Sequence, residues 1–167
     1  MAFCLGTNRV HIEAGEPNAF RAIVPAWLVV GILDISSAFI IWICRGVSPI
    51  HGLQGLVLPL LGPATFEGGF GTAAMGLALH FFIALVVVLV FYAASRKIRV
   101  LREHAALSGV LYGVAVYLVM YWIVLPAAFP KFRHSLSNDP LAIAIHIVLI
   151  GLPTALILRR AAPSSTG

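Results

Sequence analysis

Charged side chains are scarce in this chain. Lys, Arg, Asp and Glu make up 10% of its 167 residues, whereas 60% of the residues are hydrophobic. A typical soluble domain carries about 25% charged residues, and the mean hydropathy of this chain is +1.00. The composition therefore excludes an ordinary soluble domain and predicts an integral membrane protein in contact with a lipid bilayer. The length suits one compact bundle without a second soluble domain.

Cysteine is nearly absent as well. The chain has two cysteines, Cys4 and Cys44, and neither stands in a CxxC or other ligand spacing. The topology argued below places them at opposite faces of the membrane, too far apart for a disulfide. The sequence therefore predicts neither a disulfide framework nor a cysteine metal site.

Acidic residues are few compared with basic ones. Six Asp and Glu stand against 11 Lys and Arg, which gives a net charge of +5. Clustered positive charge is typical of nucleic-acid-binding proteins. Here, however, the basic residues stand at the ends of apolar segments, where membrane topology accounts for them. The sequence therefore predicts no nucleic-acid partner.

Four long apolar segments follow one another along the chain. They cover residues 22–44, 72–95, 107–127 and 141–158, and about 20 residues suffice to cross a bilayer as a helix. We therefore predict an all-α fold, an integral membrane four-helix bundle that forms a single domain over residues 22–160. Residues 1–21 are expected to form a cytoplasmic N-terminal segment and residues 161–167 a disordered tail.

A shorter apolar segment lies between the first two spans. Ser48 followed by Pro49 is a typical helix start, but the apolar residues end at Pro59 and Gly62, too soon to cross the bilayer. Residues 49–61 are therefore expected either to lie in the membrane interface or to form a re-entrant element. The polar residues of this outer-side segment are His51, Gln54 and Glu67.

The distribution of basic residues predicts the orientation. Short loops rich in Lys and Arg remain cytoplasmic. With both termini inside, the cytoplasmic side holds eight of the 11 Lys and Arg residues, and the outer side holds Arg45, Lys131 and Arg133. The sequence therefore predicts a multi-pass protein of a bacterial inner membrane with both termini in the cytoplasm.

Small residues mark the predicted packing faces of the helices. Thr72, Gly76, His80 and Ala84 recur every fourth position, so they share one face of the second span. Gly109 and Gly113 form a GxxxG pair in the third span. Small side chains let two helix backbones approach closely. We therefore expect these faces to pack against other helices or against a partner.

Three ionisable residues lie inside the predicted spans: Asp34, His80 and His146. At 1.5 Å per residue, both histidines fall roughly 10 Å below the outer surface and Asp34 roughly 15 Å below it. The three side chains are therefore expected to meet in the outer half of the bundle. Ionisable residues inside a membrane face the bundle interior and mark ion or proton pathways.

Four interpretations of this polar cluster remain open. It could fix the register of the helices, or it could carry protons or ions, with His51, Gln54 and Glu67 forming an outer vestibule. His80 and His146 could instead be the axial ligands of a b-type haem. Finally, the three residues could bind a metal such as zinc or iron, with Glu67 as a further ligand.

Residues 53–97 resemble a group of bacterial four-helix inner-membrane proteins with the pattern LQxxxxGLLG…GLxLHFxIA…YxxSR. The resemblance extends over about residues 30–160 and continues in GVLYGVAVYLVM of the third span and in a His followed by GLP in the fourth. Residues 56–59 (LVLP) depart from it, because the group has smaller residues there. The resemblance implies the same four-span architecture and no particular activity. The matching residues are Leu53, Gln54, Gly62, Gly76, His80, Phe81, Ala84, Tyr92, Ser95 and Arg96.

Together these patterns favour a non-enzymatic function. No serine stands in a GxSxG context, and no glycine-rich phosphate loop follows a strand. We expect an accessory subunit of a larger membrane complex, with a homo-oligomer also open, or a small proton or ion transport element. The alternative from another class is a haem b-binding redox subunit that uses His80 and His146.

Overall fold

The computed structural model of the protein describes residues 19–130, 137 and 139–159. The predicted tail 161–167 and residues 1–18 of the predicted N-terminal segment lie outside the described residues. So do Cys4 and four of the basic residues used to predict the orientation: Arg9, Lys131, Arg133 and Arg160.

The described part of the chain is all-α and contains no strand, as predicted. Four helices are long and apolar enough to cross a membrane: α1 (Ala19–Cys44), α3 (Gly69–Lys97), α5 (Ala105–Ala128) and α6 (Asp139–Leu158). Two shorter helices, α2 (Pro49–Leu61) and α4 (Val100–Glu103), lie in the connections. A 3₁₀ turn, Gly62–Phe66, joins α2 to the start of α3. The four predicted spans fall within the four long helices.

Local sequence explains the limits of α2. The Ser48 hydroxyl accepts a hydrogen bond from the His51 backbone N–H at 3.2 Å, and Pro49 occupies the first turn. Pro49 costs no hydrogen bond there, because the first N–H groups of a helix have no partner within it. The helix ends at Gly62, whose φ of +67° lies in the left-handed region that favours glycine.

The four long helices alternate in direction, so two ends of the bundle can be distinguished. The basic end contains the start of α1, the end of α3, the start of α5 and the end of α6. Six of the seven Lys and Arg residues that the structure describes lie there, and Arg45 lies at the opposite end. The six are Arg21, Arg96, Lys97, Arg99, Arg102 and Arg159.

A continuous apolar core fills the half of the bundle next to the basic end. Its buried residues come from all four long helices, and its largest member is Phe91, which is 2% exposed. Phe91 packs edge-on against Tyr112 with 5.0 Å between ring centroids. The buried members of this core are Ala26, Val30, Val88, Phe91, Ala105, Val116, Ile150, Ala155 and Leu158.

Glycine permits a close backbone contact between α5 and α6. A Cβ atom added to Gly109 would lie 2.9 Å from the Gly151 carbonyl oxygen, and one added to Gly113 would lie 2.6 Å from the Ile147 Cα. Real Cβ atoms do not approach backbone atoms so closely, so a side chain at either glycine would push the helices apart. The GxxxG pair of the third span therefore packs against the fourth span.

The short helix α2 packs on the first half of α3. A Cβ atom on Gly76 would overlap the Leu53 carbonyl oxygen. The Gln54 amide donates to the Gly69 carbonyl at 3.0 Å and to the Thr72 hydroxyl at 3.3 Å. These contacts fix α2 against the bundle, and they account for Thr72 and Gly76 within the small-residue face of α3.

Two stretches of π-helix interrupt the last two spans. They cover Met120–Val124 in α5 and His146–Gly151 in α6. A π turn contains one more residue than an α turn, and such turns occur frequently at functional sites. Both stretches carry residues of the cavity described next.

Candidate functional site

A cavity of about 390 Å³ lies between the four long helices and α2. Val30, Val116 and Ile150 belong both to its wall and to the apolar core, so the core forms its floor. At the other end the wall includes Leu60 of α2 and Phe129, which follows α5. Among the described residues, the ionisable side chains of the wall are Asp34, His80, Tyr121 and His146.

Asp34 and His80 form a pair across the contact between α1 and α3. The His80 Nδ1 lies 3.9 Å from the Asp34 Oδ2, and the two side chains are 13% and 30% exposed, respectively. The His80 Nε2 lies 3.0 Å from the Gly31 carbonyl oxygen. Because a carbonyl can only accept, Nε2 must carry the hydrogen of this bond. A neutral His80 therefore directs the lone pair of Nδ1 toward the carboxylate.

This arrangement gives one proton two alternative positions in the pair. Two acceptors, an imidazole nitrogen and a carboxylate oxygen, otherwise face each other in a partly buried site. A proton on Nδ1 makes the pair an imidazolium and a carboxylate, whereas a proton on Asp34 makes it an imidazole and a carboxylic acid. In both cases the pair as a whole is electrically neutral.

The close approach of α1 and α3 fixes the position of His80. A Cβ on Gly31 would lie 2.7 Å from the Phe81 Cδ1, so only glycine lets α1 come this near. The Trp27 Nε1 donates to the Phe81 carbonyl oxygen at 2.7 Å. The Trp27 ring also packs edge-on against the Phe81 ring, with 6.1 Å between centroids. These contacts place Gly31 O and Asp34 on either side of the imidazole.

His146 enters the cavity wall from α6, at the first residue of its π stretch. Its Nδ1 donates to the Ala142 carbonyl oxygen at 2.8 Å, which makes Nε2 the acceptor nitrogen of the neutral ring. The Tyr117 and Tyr121 rings each pack in a T-shaped arrangement with the imidazole, with centroids 5.8 and 5.9 Å away. The two tyrosine rings stack on each other at 4.8 Å. The orientation of His146 is therefore set by a hydrogen bond within its own helix and by the two tyrosine rings of α5.

The structure places the predicted outer-side residues elsewhere. His51 stacks on Phe66 with 4.3 Å between ring centroids, Gln54 is buried in its hydrogen bonds to α3, and Glu67 is exposed. The described residues of the cavity wall include none of the three. The α2–α3 contact turns Gln54 away from the cavity, and the expectation that the three residues form an outer vestibule stays a prediction.

The orientation of His80 does not suit axial ligation of a haem iron. Its Nε2 bonds to the Gly31 backbone and its Nδ1 faces Asp34, so both nitrogens are directed at α1 rather than across the cavity toward His146. A metal site finds no support either. Among the described residues, no group of three or more His, Cys, Asp and Glu side chains could hold a metal ion.

Tyr121 also belongs to the cavity wall, and its position four residues after Tyr117 already indicated that the two hydroxyl-bearing rings share a face. Sequence reasoning missed the π stretches. The π stretches carry no recognisable signal, because apolar residues such as those of Met120–Val124 suit an α-helix equally well.

Comparison with known proteins gives no indication of the function. No protein-family model, curated protein or solved structure matches the chain.

Proposed function

We propose that this protein is a small proton transport element of a bacterial inner membrane. Asp34 and His80 hold the transported proton, and His146 is the second relay group. The observation that carries the proposal is the lone pair of His80 Nδ1 facing the Asp34 carboxylate at 3.9 Å, in the wall of a cavity inside the bundle. Asp and His within spans are the usual groups of proton relays.

The hydrogen bonds of the two histidines support this proposal. Each ring uses one nitrogen to donate to a backbone carbonyl, and its other nitrogen can accept a proton. A group that gains and loses protons without losing its position is what a relay requires, because each ring remains anchored in both charge states. The Tyr121 hydroxyl in the same wall is a further group able to donate and accept.

The positive charge at the basic end supports the orientation within the proposal. That end contains Arg96 and Lys97 at the close of α3, and cytoplasmic loops carry the excess of Lys and Arg. Both termini are then cytoplasmic, and the cavity lies in the outer half of the membrane. Membership in the bacterial group that the sequence resembles is part of this proposal.

The cavity favours a transport function over the role of a purely structural subunit. A subunit that only packs against partners needs apolar contact surfaces, and it has no need of a cavity that holds a carboxylate and two imidazoles. A carboxylate at the membrane centre also costs at least about 2.5 kcal/mol of free energy. A role of Asp34 in proton transport accounts for its presence in a span despite this cost. A partner subunit or a second copy would bind at the lipid-facing surfaces and would leave the cavity in place.

Proton flux into liposomes tests the proposal. Vesicles containing the purified protein and an internal pH-sensitive dye are given a potassium diffusion potential with valinomycin. We expect acidification faster than in protein-free vesicles, and at least a tenfold loss of this flux in Asp34→Asn and His80→Gln. Glu67→Gln is the matched control, because Glu67 is exposed outside the cavity. Wild-type flux equal to that of empty vesicles, or full flux in Asp34→Asn, would overturn the proposal.

A further inference from the structure

The cavity is larger and more apolar than a proton relay requires. Pockets of roughly 300–1,000 Å³ hold small organic molecules, and this one measures about 390 Å³. We propose that it binds a lipophilic organic cation in exchange for the proton held by Asp34 and His80. This inference rests on the proposed function, since it names the molecule whose transport the proton would drive.

The charge of the wall selects a cation. Among the described residues that line the cavity, Asp34 is the one carboxylate, and the wall includes neither Lys nor Arg. A carboxylate in this apolar setting needs a compensating positive charge. When the Asp34–His80 pair has lost its proton, a neutral or anionic ligand would leave that charge uncompensated, whereas an organic ammonium group would neutralise it.

The other wall residues select a lipophilic cation over a metal ion. Na⁺, Mg²⁺ and Ca²⁺ need several oxygen ligands, and among the described wall residues the side-chain oxygens belong to Asp34 and Tyr121. Three aromatic rings, of Trp42, Tyr121 and Phe129, lie in the wall with many aliphatic side chains. Aromatic faces attract quaternary ammonium groups.

Proton and cation would compete for the same carboxylate. With one proton the Asp34–His80 pair is neutral, so an ammonium group in the apolar cavity would have no net negative charge to compensate it. When the proton leaves for bulk water, the Asp34 carboxylate is free to pair with the ammonium group while His80 remains neutral and bonded to Gly31 O. The exchange is therefore one proton released for each monovalent cation bound.

Calorimetry with a permanently charged probe tests the inference. Benzyltrimethylammonium carries no dissociable proton, so any proton released on its binding comes from the protein. Titration of the full chain in mild detergent, in two buffers of different ionisation enthalpy and over a pH series, gives the affinity and the number of protons released. We expect release approaching one proton per bound cation in the acidic part of the series, and tighter binding as the pH rises.

Matched ligands and variants separate charge from apolar contact. Neopentylbenzene replaces the ammonium nitrogen by carbon, and we expect it to bind without proton release. Asp34→Asn should weaken ammonium binding at least tenfold and leave neopentylbenzene binding unchanged, which also shows that this variant remains folded. Trp42→Leu, which keeps the carboxylate, should weaken ammonium binding several-fold, and Glu67→Gln should change nothing.

The outcomes distinguish this inference from the proposed function. Equal binding of the two probes, unaffected by Asp34→Asn, would show that the cavity accepts apolar molecules such as lipid chains, and would overturn the cation exchange. Absence of ammonium binding by a protein that still conducts protons in vesicles would overturn this inference alone. Ammonium binding with proton release by a protein without proton flux would overturn only the proton conduction.

Discussion

The half of the bundle next to the basic end is tightly packed, whereas the opposite half encloses a cavity. In the first half nine buried apolar residues form one core, and glycines bring α5 and α6 into backbone contact. In the second half, a smaller apolar cluster of Ile35, Leu53 and Ala73 joins α1, α2 and α3, and His80 bonds to the Gly31 carbonyl across the contact between α1 and α3.

This difference separates the tightly packed half of the bundle from the half that holds the proposed site. Lipid chains are as apolar as leucine, so close packing rather than the hydrophobic effect holds membrane helices together. The packed half supplies that contact. The other half can therefore keep a cavity and a carboxylate that would lower the stability of a bundle without such a core.

The largest effect is expected from a methyl group added to the packed half. A Cβ on Gly151 would overlap the Gly109 carbonyl oxygen and lie 2.6 Å from the Gly113 nitrogen. Because both are backbone atoms, α5 and α6 must separate. We expect Gly151→Ala to lower the free energy of unfolding by about 1–3 kcal/mol, the usual cost of overpacking. Thermal melts or SDS titration in mixed micelles would measure it.

Two control substitutions test whether this cost belongs to the packed half. Gly55→Ala should not destabilise, since no atom lies within 4 Å of a Cβ at that position. Ala84→Leu adds three carbons beside the cavity, and we expect the free energy of unfolding to change by less than about 1 kcal/mol because the space is already there. A loss at Ala84 as large as at Gly151 would contradict the contrast between the halves.

A smaller effect is expected from the polar pair of the cavity half. Asp34→Ala and His80→Ala should be non-additive, because each removes the same interaction at 3.9 Å. We expect a coupling energy of roughly 0.5–3 kcal/mol in a double-mutant cycle, the range for residues in contact. The cycle of Asp34→Ala with His104→Ala is the reference, since His104 is exposed at the basic end. Equal coupling in both cycles would argue against the pair.

Labelling of single cysteines tests the orientation directly. We expect these substitutions to have the smallest effect on stability. Val100 is 55% exposed at the basic end, and Cys44 is exposed at the other. With the other cysteines replaced by Ser, Val100→Cys should react with a membrane-impermeant maleimide only in inside-out vesicles. A chain that keeps Cys44 alone should react in intact spheroplasts. The reverse pattern would invert the proposed topology.

The sequence predicted the helices well because their signal is local. A helix that crosses a membrane needs about 20 apolar residues, and each of the four long helices consists of one uninterrupted segment of that kind. The pairing of Asp34 with His80 could be anticipated from depth alone, because helices of known rise place residues at calculable levels. The hydrogen bond of His80 to Gly31 could not, because it depends on how closely α1 approaches α3.

The remaining features depend on contacts between distant parts of the chain. Gln54 looked like a polar group available to a vestibule, but it bonds to Gly69 and Thr72 instead. That outcome depends on the 3₁₀ turn that folds the chain back along α2, where Thr65 donates to the Gln54 carbonyl oxygen at 3.1 Å. Sequence periodicity describes one helix at a time, so it does not reveal which face of α2 meets α3.

The π stretch that begins at His146 sets the phase of the fourth helix. Because a π turn holds one residue more than an α turn, the part of α6 before His146 presents a different face from the one that regular α-helical winding would give. Loss of a single residue within 147–151 would restore regular winding and could leave Ala155 and Leu158 in the core. The same loss would swing His146 by about 100° around the helix axis, away from the cavity. A change of one residue in chain length can thus alter the direction of the His146 side chain while the packing of the fourth helix is kept.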